Sequence, residues 1–193
     1  MNAQPQENLK ITPEEYLEFE RNSEIKHEYF DGEIFAMTGA SLNHNLINAN
    51  ITAELQSKLK SNGSTCSVFS NDMRVKVLKN GKYTYPDVVI ACDEIQLEDD
   101  EFDTLINPVV IIEVLSNSTE AYDRGKKFEH YQLIPSLKEY ILVSQHACRM
   151  EKYARRDNFK WLYSSYNEPG ESMEIDVIGC KLLLLDIYYR VVF

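Results

Sequence analysis

The stretch NPVVIIEVLS, residues 107–116, sets one carboxylate, Glu113, inside an apolar run from Val109 to Leu115. Apolar residues without alternation over this length read as a strand covered on both faces, which places it centrally in a sheet. A buried carboxylate is costly unless it is neutral, paired with a cation or bound to a metal. The rest of the chain has to supply its partner.

Upstream, YTYPDVVIA (residues 83–91) puts Asp87 directly after Pro86 and at the head of a second apolar strand, 26 residues before Glu113. If the two strands are neighbours, the carboxylates lie side by side, where their repulsion raises one pKa. A divalent cation removes that cost, and Mg²⁺ or Mn²⁺ suits a few carboxylate oxygens completed by water. The backbone carbonyl of Val114 is a further candidate ligand. Such an ion polarises a phosphate and lowers the pKa of a bound water, the requirements of phosphodiester hydrolysis. Downstream, Ser118 or Thr119 is expected to cap a helix running to about residue 134, stopped by Pro135. Asp123, Lys127 and Tyr131 fall at i, i+4 and i+8, on one face of it. Lys127 can then reach back over the strand end to orient a water or neutralise phosphate charge. Plainer readings stand beside these. Glu113 pairs with a basic residue, Asp123–Lys127 is an ordinary helix ion pair, and Tyr131 is packing.

The flanking sequence reads as one α/β domain over residues 12–193, behind a disordered tail at 1–11. Thr12, Pro13 and Glu15 form the start of a short helix with a capping box. Asp31-Gly32 and Asn80-Gly81 mark hairpin turns. A second helix starts at Ser41, with Leu42, Leu46, Ala49, Ala53 and Leu59 as its apolar stripe. Residues 93–104 hold seven acids in twelve positions and read as a solvated loop. Arg149, Lys152, Arg155, Arg156, Lys160 and Trp161 form the one basic stretch with aromatics, read as a hairpin turning at Arg156-Asp157-Asn158 and mostly solvated. The expected architecture is a mixed central sheet flanked by helices, with an N-terminal helix and hairpin and a crossover helix after the Glu113 strand.

Hydrophobic residues make up 44% and charged residues 26%, as in ordinary globular proteins. The net charge of −11 argues against general affinity for polyanions unless a metal or a local basic patch intervenes. No apolar run reaches the roughly 20 residues that span a bilayer, and the polar start MNAQPQENLK lacks a signal core. A cytoplasmic, membrane-free protein is the expectation. Cys66, Cys92, Cys148 and Cys180 are widely spaced, and all four are expected to be reduced thiols. Neither a phosphate-cradling glycine loop nor a serine-nucleophile elbow is present, and no organic cofactor is expected.

Proline–aspartate followed by glutamate on the next apolar strand resembles the core of the PD-(D/E)xK nuclease superfamily. The run IIEVLSNSTEAYDRGKKFEHYQLIPSLKEYILV, the front SEIKHEYFDGEIFAMTGASLNHNLI and the closing LLLLDIYY resemble its Uma-type restriction-endonuclease group, over about residues 12–190. The resemblance implies a restriction-endonuclease-like fold with Asp87 and Glu113 as ligands of Mg²⁺ or Mn²⁺. The superfamily lysine belongs two residues after the glutamate, where this chain has Leu115; the group's variation moves that role to the next helix, here Lys127. Glu28 and His44 fall in the front motif and would support the acidic cluster. The implied activity is a metal-dependent endonuclease on DNA, working as a homodimer. The missing lysine and the acidic charge motivate the other reading, a catalytically degenerate nuclease fold acting as a binding or assembly module.

Overall fold

Thr12 opens the first helix, α1 (Pro13–Arg21), with a reciprocal cap. Its hydroxyl accepts the Glu15 N–H at 3.2 Å, and the Glu15 carboxylate accepts the Thr12 N–H at 2.7 Å. The hairpin of β1 (His27–Phe30) and β2 (Glu33–Ala36) turns at Asp31 and Gly32, both at positive φ (50° and 85°), the backbone that a two-residue turn of this hand demands. Next come α2 (Leu42–Ser61), β3 (Ser67–Ser70), β4 (Arg74–Val77), β5 (Lys82–Thr84), β6 (Val88–Ala91), β7 (Thr104–Leu105) and β8 (Val110–Leu115). The computed structural model describes residues 10–37, 39–157 and 160–193. The expected N-terminal tail therefore lies outside the described residues through position 9, as does Asn158 of the expected hairpin turn. Ile11 already donates to the carbonyl of Gly32 at 3.2 Å.

The crossover after β8 is helical from Glu120 to Tyr131, but in three parts. These are α3 (Glu120–Tyr122), a π turn over Asp123–Lys127, and α4 (Phe128–Tyr131). It leads to β9 (Glu139–Ser144), β10 (Met150–Arg155), β11 (Trp161–Tyr166), β12 (Ser172–Ile175), β13 (Cys180–Leu183) and α5 (Leu184–Ile187). The six-stranded sheet runs β11-β10-β9-β8-β6-β3, the five-stranded sheet β2-β1-β5-β4-β7, and β12 pairs with β13. Parallel pairing occurs at β8–β9, across the crossover, and at β4–β7; the other described strand pairs are antiparallel. This is the mixed α/β architecture expected from the sequence. All six residues of β8 are buried.

The period-two pleat sorts β8 between two cores. Val110, Ile112 and Val114 pack with α2, β13 and α5, whereas Ile111 and Leu115 pack toward the crossover and the second sheet. Glu113 shares the parity of the second set, so its carboxylate faces the crossover helix. No helix among the described residues is long and apolar enough to cross a membrane.

Several expectations need correction. The buried stripe of α2 is Ile47, Ile51, Leu55 and Leu59, while Leu42, Ala49 and Ala53 are exposed. Branched side chains at i+4 spacing bury more apolar area than alanines do, and they set the rotation of the helix. Thr119 holds the N-cap position of α3, one of the two expected, but its side chain makes no cap hydrogen bond; Ser116 Oγ accepts the Thr119 N–H at 3.2 Å, and the helix ends at Tyr131. Cys66 and Cys92 form a disulfide. They extend the β3–β6 register one step beyond Ser67 opposite Ala91, a cross-strand juxtaposition invisible in their spacing. Cys148 and Cys180 are free. In the acidic loop Asp93, Glu94, Asp100 and Glu101 are exposed as expected, but the other three acids are ion-paired. Asp99 and Asp103 bind Arg21 at 2.7 and 2.9 Å, Asp103 binds Arg74 at 2.6 Å, and Glu98 binds Lys76.

Candidate active site

β6 and β8 are antiparallel neighbours with Val88 opposite Ile112. One step further along that register brings Asp87 against Glu113. Asp87 is fixed from two sides: Oδ2 accepts the Val114 N–H at 2.8 Å, and Oδ1 lies 2.7 Å from Nε2 of His44. His44 is delivered by the first turn of α2, where Ser41 Oγ accepts its N–H at 3.1 Å.

Glu113 meets the crossover helix. Its Oε1 is 2.9 Å from Lys127 Nζ and accepts the Tyr131 hydroxyl at 2.9 Å. That hydroxyl also contacts Thr84 Oγ1 at 3.0 Å. Lys127, only 5% exposed, also lies 3.3 Å from Glu28 and 3.5 Å from Asp123. One ammonium thus sits among three carboxylates carried by β1, β8 and the π turn. Every residue singled out from the sequence is here: Asp87, Glu113, Val114, Lys127, Glu28, His44 and Asp123. Tyr131 packs as expected, and its hydroxyl additionally orients Glu113.

Sequence reasoning missed Lys82. This lysine is 2% exposed on β5, lies 3.8 Å from Glu28, and donates to the hydroxyl of Tyr122, which itself sits 3.4 Å from Glu28. A lysine beside an Asn-Gly turn reads as solvated. The available signal was alternation, since Lys82 and Thr84 share the face of β5 that meets the crossover.

Burial raises the Glu113 carboxyl, Lys127 pulls it back, and Asp123 and Asp87 add to the rise, leaving it pushed up to about 8. Asp123 is also raised, by burial first, with Lys127 opposing. Burial works against charge on Lys127, but Glu113 and Glu28 outweigh it and hold the ammonium well above the lysine range. Both members of the Glu113–Lys127 pair are therefore raised. An ammonium with three carboxylates around it keeps its proton, and it is the carboxylates that lack sufficient positive charge. Lys82 is lowered, by burial, despite Glu28.

The donor chemistry fits a hard divalent cation. Asp87, Glu113 and the Val114 carbonyl are oxygen donors, and the N–H of Val114 already faces Asp87. No group of three or more His, Cys, Asp or Glu side chains capable of holding a metal occurs among the described residues. Asp87 and Glu113 alone would offer side-chain oxygens, so water and phosphate would have to complete the shell of any such ion. Four carboxyl groups, on Glu28, Asp87, Glu113 and Asp123, meet only two amines, on Lys82 and Lys127, a mismatch that a divalent ion would offset.

The basic hairpin has mostly structural partners. Lys152 binds Glu139 at 3.2 Å and Asp176 at 2.9 Å. Arg155 donates to the carbonyls of Gln132, Ile134 and Leu137, and its guanidinium lies 4.4 Å from the Trp161 ring centroid.

A family model described as "Uma2: Putative restriction endonuclease" matches residues 13–185. Two uncharacterized proteins of Synechocystis sp. (strain ATCC 27184 / PCC 6803 / Kazusa) are similar. One is 38% identical over 94% of this chain and 92% of its own length, the other 35% identical over 89% and 95%. Among solved structures, "a putative nuclease belonging to DUF820" from Anabaena variabilis ATCC 29413 superposes with a TM-score of 0.77. It is 19% identical and covers 94% of this chain and 99% of that one. At that identity the likeness concerns the fold.

Proposed function

The chain belongs to the Uma2 restriction-endonuclease family, and on that premise we propose that it is an endonuclease that hydrolyses phosphodiester bonds in DNA with Mg²⁺ or Mn²⁺. The observation that carries the reading is Lys127 Nζ at 2.9 Å from Glu113, on the helix that follows the strand. It supplies beside the paired carboxylates the ammonium that Leu115 cannot.

In this reading Asp87, Glu113 and the Val114 carbonyl hold the ion. When bound, it supplies Lewis-acid polarisation of the phosphate and offsets the surplus negative charge. Lys127 holds its proton at Nζ and presents it to the attacking water or to the phosphate oxygens as charge develops. Asp87 keeps one orientation because the Val114 N–H and His44 occupy opposite oxygens. Tyr131 and Thr84 position Glu113, while Lys82 and Tyr122 position Glu28. His44, Tyr131 and Tyr122 are positioning residues, and Glu28 and Asp123 hold Lys127 in place. Cutting both strands of a duplex is simplest for a homodimer, which sedimentation at micromolar concentration tests.

The closed ion-pair network favours a second reading, a scaffold in which Lys127 replaces the metal and nothing is cut. Calorimetric Mn²⁺ titration of the wild type, Asp87→Ala and Glu113→Gln separates the two. Binding abolished by both substitutions, together with Mn²⁺-dependent nicking of plasmid DNA that both also abolish, supports the endonuclease. Wild-type protein that neither binds Mn²⁺ nor nicks DNA overturns it.

A further inference from the structure

Beside the candidate catalytic end of the sheet lies a second polar feature, a groove of about 400 Å³ between α2 and the end of β3. Asn45, Asn48, Thr52 and Gln56 form one wall, and Ser70 and Asn71 the other. The lining carries no charged side chain, in a protein whose net charge is −11. Solvent-facing helix positions usually carry lysine and glutamate, but here Ala49 and Ala53 form the floor and leave room for a ligand.

The groove connects to the site through bonded atoms. Asn71 donates its N–H to the backbone carbonyl of Asp87 at 3.0 Å. Asn48, nine-tenths buried, donates its amide to Asn71 Oδ1 at 2.6 Å, one helical turn beyond His44. Asn71 holds positive φ (52°), a conformation that asparagine tolerates better than most residues and that fixes its side chain against α2. Lys26 Nζ, bonded to the Asn71 carbonyl at 3.0 Å and ion-paired with Asp72 at 2.9 Å, ties the strand end down beside the groove. Farther along, the exposed side chain of Gln56 makes no hydrogen bond to another described residue, so its amide offers solvent or a ligand a donor and an acceptor together.

We propose that this groove reads base edges of the DNA next to the scissile phosphate, and that Gln56 selects adenine. The inference rests on the endonuclease reading above for the identity of its ligand. Side-chain amides match adenine, whose N7 accepts while its N6 amino group donates, and a neutral groove spares the phosphates the repulsion of an acidic surface. From Asn45 to Gln56 the helix rises about 16 Å, roughly five base steps at 3.4 Å each. The groove thus covers a short recognition element that begins at the reacting bond.

The test is selection of bound duplexes from a randomised library with Ca²⁺ in place of Mg²⁺, comparing wild type with Gln56→Ala and Ala53→Trp; plasmid cleavage with Mg²⁺ is scored separately. Both substitutions are on the exposed side of α2, away from the residues that hold the ion. An adenine preference in the wild type that falls roughly 5- to 100-fold in Gln56→Ala, with Ala53→Trp losing binding at least tenfold, supports the groove. That result stands even if no cleavage is seen, in which case the nuclease reading fails alone. Profiles that are identical in all three proteins overturn the groove while leaving cleavage to decide the nuclease reading. Wild-type protein that retains no duplex also overturns the groove.

Discussion

Replacing Lys127 by methionine keeps the length and most of the volume of the side chain but removes the charge from the centre of the site. Three carboxylates, at 2.9, 3.3 and 3.5 Å from the lost ammonium, then face one another with only Lys82, 3.8 Å from Glu28, as a nearby cation. At an effective dielectric constant near 20, the Glu113 contact alone represents about 6 kcal/mol of attraction, much of it offset by the cost of burying the ammonium. Losing one partner of a buried pair costs about 3–5 kcal/mol in proteins generally. With a urea m-value near 2 kcal/mol/M, the unfolding midpoint of Lys127→Met at pH 8.5 should fall by about 1.5–2.5 M. The pH dependence gives a second test. Glu113 is already pushed up to about 8 in the wild type, from an ordinary 4.5, chiefly by burial. A carboxyl whose folded pKa is raised favours the fold while protonated. Its contribution is complete below the unfolded value and is lost as the pH climbs through the folded one. Without Lys127 the rise is larger, so the deficit of the variant should be greatest at pH 8.5 and shrink towards pH 5. Urea titrations followed by tyrosine and tryptophan fluorescence at the two pH values measure both effects. A variant as stable as the wild type at pH 8.5, or a deficit equal at pH 5 and 8.5, would refute the buried carboxylate cluster.

Because Glu113 must release its proton before a cation binds, Mn²⁺ affinity should rise about tenfold per pH unit between pH 6 and 7.5 and level off above 8, which calorimetry at four pH values reports. His44→Ala frees one oxygen of Asp87 and should weaken Mn²⁺ binding about 10- to 100-fold, with the far-ultraviolet circular dichroism unchanged. Asp103 has the opposite titration sign. Burial opposes its ionisation, but hydrogen bonds from Arg21, Arg74 and Thr104 hold its carboxyl far below the usual range. The stability it contributes is therefore complete above its ordinary pKa and lost only as the pH falls towards the lowered one. Asp103→Asn should cost about 1.5–3 kcal/mol at pH 7, and the cost should shrink steadily as the pH is lowered from 4 to 2, by urea unfolding at each pH.

Residues 107–116 are a good measure of what could be read in advance. The unbroken apolar run located β8 in the middle of a sheet, because only double-sided burial tolerates such a sequence. Asp31-Gly32 announced its hairpin, because few residue pairs accept two consecutive positive φ angles. Asp87 and Glu113 were paired in advance because each heads or interrupts an apolar strand. What was hidden depended on partners distant in sequence. Lys82 looks like any turn lysine until β1 and the crossover helix close over it. Asp99 and Asp103 look solvated until Arg21 and Arg74, each at least 25 residues away, reach them. The rotation of α2 was misjudged because alanine and isoleucine were weighted alike. The Cys66–Cys92 bridge required the β3–β6 register, which spacing alone does not carry.

The π turn at Asp123–Lys127 makes the crossover helix two screws cut out of phase. An α-helix advances about 100° per residue, so one surplus residue rotates everything after it by that angle relative to everything before. Asp123 and Lys127 take their bearing on Glu28 and Glu113 from the wide turn, while Phe128 and Tyr131 take theirs from the aromatic packing against Tyr140. In a plain helix these two bearings would compete, and one residue fewer would swing Tyr131 off Glu113 or Lys127 off its carboxylates. The length of this segment is therefore held as tightly as its composition. A point change there has neighbours that can adjust, whereas a deletion leaves the two halves of the helix facing the wrong directions.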